Sequence, residues 1–96
     1  MQVLVTYDVC TEKVAGRKRL RKVAQVCKNY GQRVQKSVFE CSVDEAQYES
    51  MIRSLIKCIK QDEDSLRVYR LREPKDRYVK EYGVNGRVDF DAPLVV

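Results

Sequence analysis

Ninety-six residues and 11.2 kDa make one domain, 1–96, without room for a second core. With 44% hydrophobic and 34% charged residues the chain is neither disordered nor membrane-spanning, since no apolar run approaches the roughly 20 residues a spanning helix needs. The net charge of +5 and the lack of histidine leave acid–base or metal chemistry to carboxylates, lysine, tyrosine or cysteine.

Residues 2–9, QVLVTYDV, are β-branched and almost continuously apolar, which predicts a central strand buried on both faces. Met1 leads directly into this strand, with no charged, apolar and small-residue zones of a signal peptide, so a cytoplasmic protein is expected. A loop over 11–16 precedes a helix predicted over about 16–30. Leu20, Val23, Ala24 and Cys27 carry the i, i+3, i+4, i+7 spacing of one buried stripe. Lys18, Arg21 and Lys22 fall on the opposite side, with Arg17 and Arg19 at the borders of the stripe. Gly31 is placed to end the helix in a left-handed cap. Nine Lys/Arg and no Asp or Glu lie from Lys13 to Lys36. Such a segment suits a polyanion, nucleic acid above all; the alternative is a solvated helix face.

Residues 32–43, QRVQKSVFECSV, read either as one bulged strand or as two short strands meeting around Lys36–Ser37. Ser42 and Glu45 form a capping-box pair for a second helix, with Tyr48, Ile52, Leu55, Ile56 and Ile59 as its buried stripe. A polar turn over 61–65 leads to a strand over 66–71. Pro74, Gly83 and Gly86 make 73–86 an irregular connection. A last short strand is expected over 88–90, with Pro93 confining any further pairing to an edge. The four cysteines have no C-x-x-C or zinc spacing and no secretion signal beside them, so buried thiols are expected.

The order β-α-β(β)-α-β plus an extra C-terminal strand is that of an α+β, ferredoxin-like split βαβ sandwich. Both helices then lie on one face of an antiparallel sheet. A first strand apolar on both sides needs a second cover, and a second copy of the chain is the simplest one.

These residues carry a resemblance. VTYDV ending in Asp8, a basic helix, GQRVQKSVFEC and a short acidic-capped helix resemble the small CRISPR-associated endonuclease family, partner of the spacer integrase in CRISPR adaptation. The resemblance covers about residues 1–71 and is most specific over 31–41. It implies a ferredoxin-like homodimer with facing sheets, acting with integrase subunits on single-stranded RNA or duplex DNA. It also implies a metal-binding aspartate at Asp8, basic residues at Arg17, Arg19 and Arg33, and the phenylalanine of an SVF motif at Phe39. Where many members carry a tyrosine before SVF, this chain has Lys36, which adds charge in place of an aromatic.

Asp8 is the candidate metal and catalytic residue. A carboxylate at a strand end can hold Mg²⁺, or Mn²⁺, while water and phosphate oxygens complete the shell. It can equally serve as a turn former for the following loop. Arg17, Arg19 and Arg33 are candidates to clamp phosphates, against ordinary ion pairing with Glu12 or Glu40. Tyr7 and Phe39 are supporting aromatics, either stacking bases or packing the core. A dimeric, catalytically quiet DNA-binding scaffold remains the alternative to a nuclease. Residues 87–96 are expected to be a docking strand and tail, Val88 and Phe90 across the dimer and Leu94–Val96 toward a second partner, or else a frayed end.

Overall fold

Strict alternation organises the first strand, β1 (Gln2–Asp8): Val3 and Val5 are fully buried and Tyr7 nearly so, while Gln2, Leu4 and Thr6 are half-buried. Among the described residues only one face of β1 is closed, the other being partly shielded. The structure, a computed structural model, describes residues 1–84. Helix α1 (Val14–Tyr30) starts two residues before the expected position and buries Val23, Ala24 and Cys27 as its spacing predicts.

The chain passes from α1 into β2 (Gly31–Gln35) without a turn. Gly31 is extended, not left-handed, and its N–H is donated to the Cys27 carbonyl. Glycine is required there for another reason. A side chain at this position would run into the Glu40 carbonyl and Cys41 of β3 (Val38–Ser42). Strands β2 and β3 form an antiparallel hairpin about Lys36–Ser37, with a register shift between Arg33 and Gln35. Of the two readings of 32–43 the structure takes the second, two short strands, with a bulge in the first of them.

Helix α2 (Glu45–Cys58) is capped by Asp44 and not by Ser42. Asp44 Oδ1 accepts from the Gln47 N–H at 2.7 Å and Gln47 Oε1 accepts from the Asp44 N–H at 2.9 Å, a reciprocal box. Ser42 is kept in the sheet by pairing with Gln2, whose side chain donates to the Ser42 hydroxyl at 3.0 Å. Met51 and Leu55 are the fully buried residues of α2, whereas Ile56, expected in the stripe, is 46% exposed.

Strand β4 (Ser65–Leu71) completes an antiparallel sheet of order β2-β3-β1-β4. Both long helices lie on the Val3, Val5 and Tyr7 side, where these residues cluster with Val23, Cys27, Phe39, Cys41, Met51 and Leu55. This is the expected α+β, ferredoxin-like arrangement. Burial pushes the Cys27 thiol up to about 12 and the Cys41 thiol up to about 11, so both stay protonated and behave as small hydrophobes. The described part of the 73–86 stretch, 73–84, contains one helical turn, α3 (Lys75–Tyr78), tied by Lys75 Nζ to Glu40 Oε1 at 2.7 Å. The expected strand at 88–90 and tail at 87–96 lie outside the described residues. Among the described residues, no helix is long and apolar enough to cross a membrane.

Candidate functional site

Side chains alternate along β1, and Val3, Val5 and Tyr7 point toward the helices. Asp8 therefore stands on the face turned away from α1 and α2, exposed at the strand's last position and opposite Ser65 of β4. Beneath it the strand end is held firmly. The Tyr7 ring lies 6.2 Å from that of Phe39 at an interplanar angle of 25°, and the Tyr7 N–H is donated to the Ser37 carbonyl at 3.2 Å. Phe39 is fully buried and Tyr7 is 6% exposed. Both rings are occupied by the core and support Asp8 from below; neither offers a face to a base.

The three arginines do not converge on Asp8. Arg17 is exposed in the first turns of α1, its Nη1 donating to the Thr11 carbonyl at 3.2 Å. It belongs to an exposed basic surface with Lys18, Arg21 and Lys22. Arg33 pairs with Phe39, which puts it on the helix-bearing side of the sheet, its guanidinium 5.0 Å from the Phe39 ring centroid. Arg19 is turned inward. Its Nε donates to Asp64 Oδ2 at 2.8 Å, and its Nη2 reaches Asp64 Oδ1 and Glu63 Oε2, each at 3.2 Å.

Asp64 is the residue that sequence reasoning missed. Its side chain is fully buried. Besides Arg19 it accepts the Cys10 N–H at 3.1 Å and the Lys60 N–H at 2.8 Å. The Arg19 hydrogen bond is the largest cause holding the Asp64 carboxyl below its ordinary 3.8, at about 2; the same bond raises the Arg19 pKa. The available signal was an acidic turn, QDED, directly before a strand, together with an arginine at the border of a buried stripe. Arg67 was also overlooked. It sits opposite Thr6, on the same face as Asp8, and its Nη1 donates to the Tyr69 hydroxyl at 3.0 Å.

Among the described residues no group of three His, Cys, Asp or Glu side chains could hold a metal ion. A single exposed carboxylate fits Mg²⁺ or Mn²⁺ only in the manner of phosphate-handling sites, where substrate oxygens and waters complete the shell. The donor set at Asp8 is compatible with that arrangement, and with no cation held by the protein alone.

The model of the CRISPR associated protein Cas2 family matches residues 1–79. The chain belongs to the Cas2 family. It is 67% identical over 96 residues to the CRISPR-associated endoribonuclease Cas2 1 of Moorella thermoacetica, covering 100% of both chains. It is 50% identical over 95 residues to the CRISPR-associated endonuclease Cas2 of Halalkalibacterium halodurans, covering 99% of each. The crystal structure of Streptococcus pyogenes Cas2 at pH 6.5 superposes with a TM-score of 0.77 at 53% identity, covering 86% of this chain and 100% of that one. The Cas2 family is the one resembled by VTYDV, the basic helix and GQRVQKSVFEC, and the match reaches past residue 71 into α3.

Proposed function

We propose that this chain is a metal-dependent endonuclease of CRISPR adaptation, working as a homodimer in which the Asp8 carboxylates of two protomers address one phosphodiester. The observation that carries this reading is the state of Asp8. It is exposed at a strand end that Tyr7 and Phe39 anchor from below, and among the described residues no hydrogen bond or ion pair engages its carboxylate. A turn-forming aspartate would be hydrogen-bonded to the loop that follows it. Here the loop is held by Asp64 instead.

Dimerisation supports the site in two ways. One carboxylate per chain is a thin ligand set, and a second copy doubles it. The face turned away from α1 and α2 also leaves Leu4 half-buried and Tyr69 44% exposed, apolar surface that a second sheet would cover. Asp8 would hold Mg²⁺ or Mn²⁺, whose charge would polarise the phosphoryl group and acidify an attacking water. Arg17 and the basic surface of α1 would bind phosphates through charge, without reading sequence.

The names of the relatives divide between endonuclease and endoribonuclease, so both single-stranded RNA and duplex DNA belong in the assay. Cleavage of each in Mg²⁺ should be lost in Asp8→Asn, with sedimentation of that variant still showing a dimer. Equal cleavage by wild type and Asp8→Asn overturns the assignment. No cleavage by wild type, with tight duplex binding and association with integrase subunits, instead favours the quiet scaffold, which the single carboxylate per chain also suits.

A further inference from the structure

Arg19 and Asp64 lie under the same corner of the sheet as Asp8 without touching it. Asp8 pairs with Ser65, and Asp64 is the residue before Ser65. Asp8 and Asp64 therefore mark opposite faces of one strand junction. From the buried face, Asp64 holds the N–H of Cys10, the second residue after Asp8. The other side of Cys10 is held as well. Gly16, in the first turn of α1, lies so close to the Cys10 carbonyl that a Cβ there would collide with it. The segment leaving Asp8 is thus gripped at its N–H by Asp64 and packed at its carbonyl against Gly16. Arg19 locks the carboxylate that does the gripping, and Lys60 ties it to the end of α2.

We propose that Arg19 and Asp64 form a positioning pair: through the Cys10 amide they fix where β1 ends and so where the Asp8 carboxylate stands, and Arg19 is not a phosphate ligand. The inference rests on the reading of Asp8 as the cation-holding residue. Its physical basis is the bidentate fork of Arg19 on a fully buried carboxylate, 2.8 Å and 3.2 Å, with a third contact to Glu63. The guanidinium is 17% exposed at its side chain, and withdrawing it toward a phosphate would leave Asp64 buried without its counter-charge. Sites that act on phosphodiesters depend on placement, and a displacement of about 1 Å can cost roughly a hundredfold in rate.

The test compares Arg19→Gln, Asp64→Asn, the double variant and Arg17→Gln on one RNA and one DNA duplex. Binding is measured without divalent cations, and turnover with Mg²⁺. A positioning pair predicts that Arg19→Gln changes affinity by less than about twofold, while Arg17→Gln weakens it by more. Arg19→Gln and Asp64→Asn should each lower kcat about tenfold or more with KM unchanged, and the double variant should be no worse than the poorer single one. Arg19→Lys, which keeps the charge but loses the fork, should lose most of kcat and keep binding.

Independently of activity, hydrogen exchange at the Cys10 amide should quicken about tenfold in Asp64→Asn and Arg19→Gln while the central Val5 amide keeps its protection. Loss of Val5 protection as well marks general unfolding, and Arg19→Lys then decides. The inference is overturned if Arg19→Gln weakens binding tenfold and flattens its salt dependence, or if Cys10 exchange is unchanged. If Asp8→Asn cleaves normally, the Asp8 reading has failed, and the pair's hold on the strand end is judged by Cys10 exchange alone.

Discussion

Asp8 and Asp64 occupy one corner of the sheet in opposite circumstances. Asp8 faces solvent at the end of β1; Asp64, adjacent to its cross-strand partner Ser65, is fully buried and accepts four hydrogen bonds from Arg19, Cys10 and Lys60. The pleat turns Asp8 outward at the end of β1, whereas Asp64, one residue before β4 begins, is held inward by its backbone and side-chain bonds to Lys60 in the turn after α2. A carboxylate that organises structure is enclosed and saturated, with its proton affinity lowered by its partners. One suited to a ligand is placed on a firm support and left with its oxygens free. Residue type says nothing about this difference; the partners each carboxylate meets decide it.

The largest effect expected from breaking this contrast is on chemistry. Asp8→Asn should reduce Mg²⁺-dependent cleavage by at least about a hundredfold, while stability stays within about 0.5 kcal/mol, as for a surface position. Asp64→Ala should do the reverse to the fold. It strips partners from the Cys10 and Lys60 N–H groups, at about 1–3 kcal/mol each. A loss of about 2 kcal/mol corresponds to a melting temperature lower by roughly 8–16 °C in a domain of this size. Thermal melts of the two variants beside wild type check both halves. Asp64→Ala melting like wild type would show that the corner is held by something else.

Legibility in the sequence follows the range of the interactions. The β1 run and the α1 stripe were readable because their periodicity is local and long, and Asp8 stood out as the one acidic residue in that strand. The cap of α2 was misplaced by two residues. Ser42 and Asp44 each head a plausible box, and the choice is made by Ser42 pairing with Gln2, 40 residues away. Gly31 was assigned a local role when its constraint comes from β3 packed alongside. Arg19 was the hardest case. The border of a buried stripe suits both a ligand-binding side chain and one reaching an internal carboxylate. The partner that settles its geometry lies 45 residues further on. Arg33 fell on the face away from Asp8 because it pairs with Phe39, a matter of register that propensity does not reveal.

A smaller effect should appear in acid. The folded-state pKa of Asp64 is depressed from 3.8 to about 2, chiefly by the Arg19 hydrogen bond. A depressed pKa means the unfolded chain binds the proton more readily. The stability Asp64 contributes is therefore fully present above about pH 4 and is withdrawn as the pH falls toward 2. Denaturant midpoints measured from pH 5 to pH 2 should fall less steeply in Asp64→Asn than in wild type. Parallel curves would mean that Asp64 is not coupled to folding in this way.

Arg17 should give the smallest effect, and it sharpens the contrast between the two neighbouring arginines of α1. Arg17 is exposed and its side-chain hydrogen bond, to the Thr11 carbonyl, is local; Arg19 is held by Asp64 and Glu63. Removing one phosphate contact reduces the slope of log affinity against log salt by about 0.9 on duplex DNA, or about 0.7 on a single strand. Arg17→Ala should produce that change and weaken all sequences equally, because a phosphate contact carries no base information. Arg19→Gln, which removes the charge, should leave the slope at its wild-type value. Each measurement needs only binding isotherms at several salt concentrations, without cleavage. If Arg17→Ala leaves the slope untouched while Arg19→Gln lowers it, the exposed arginine is the bystander, and the Arg19–Asp64 ion pair opens when nucleic acid binds.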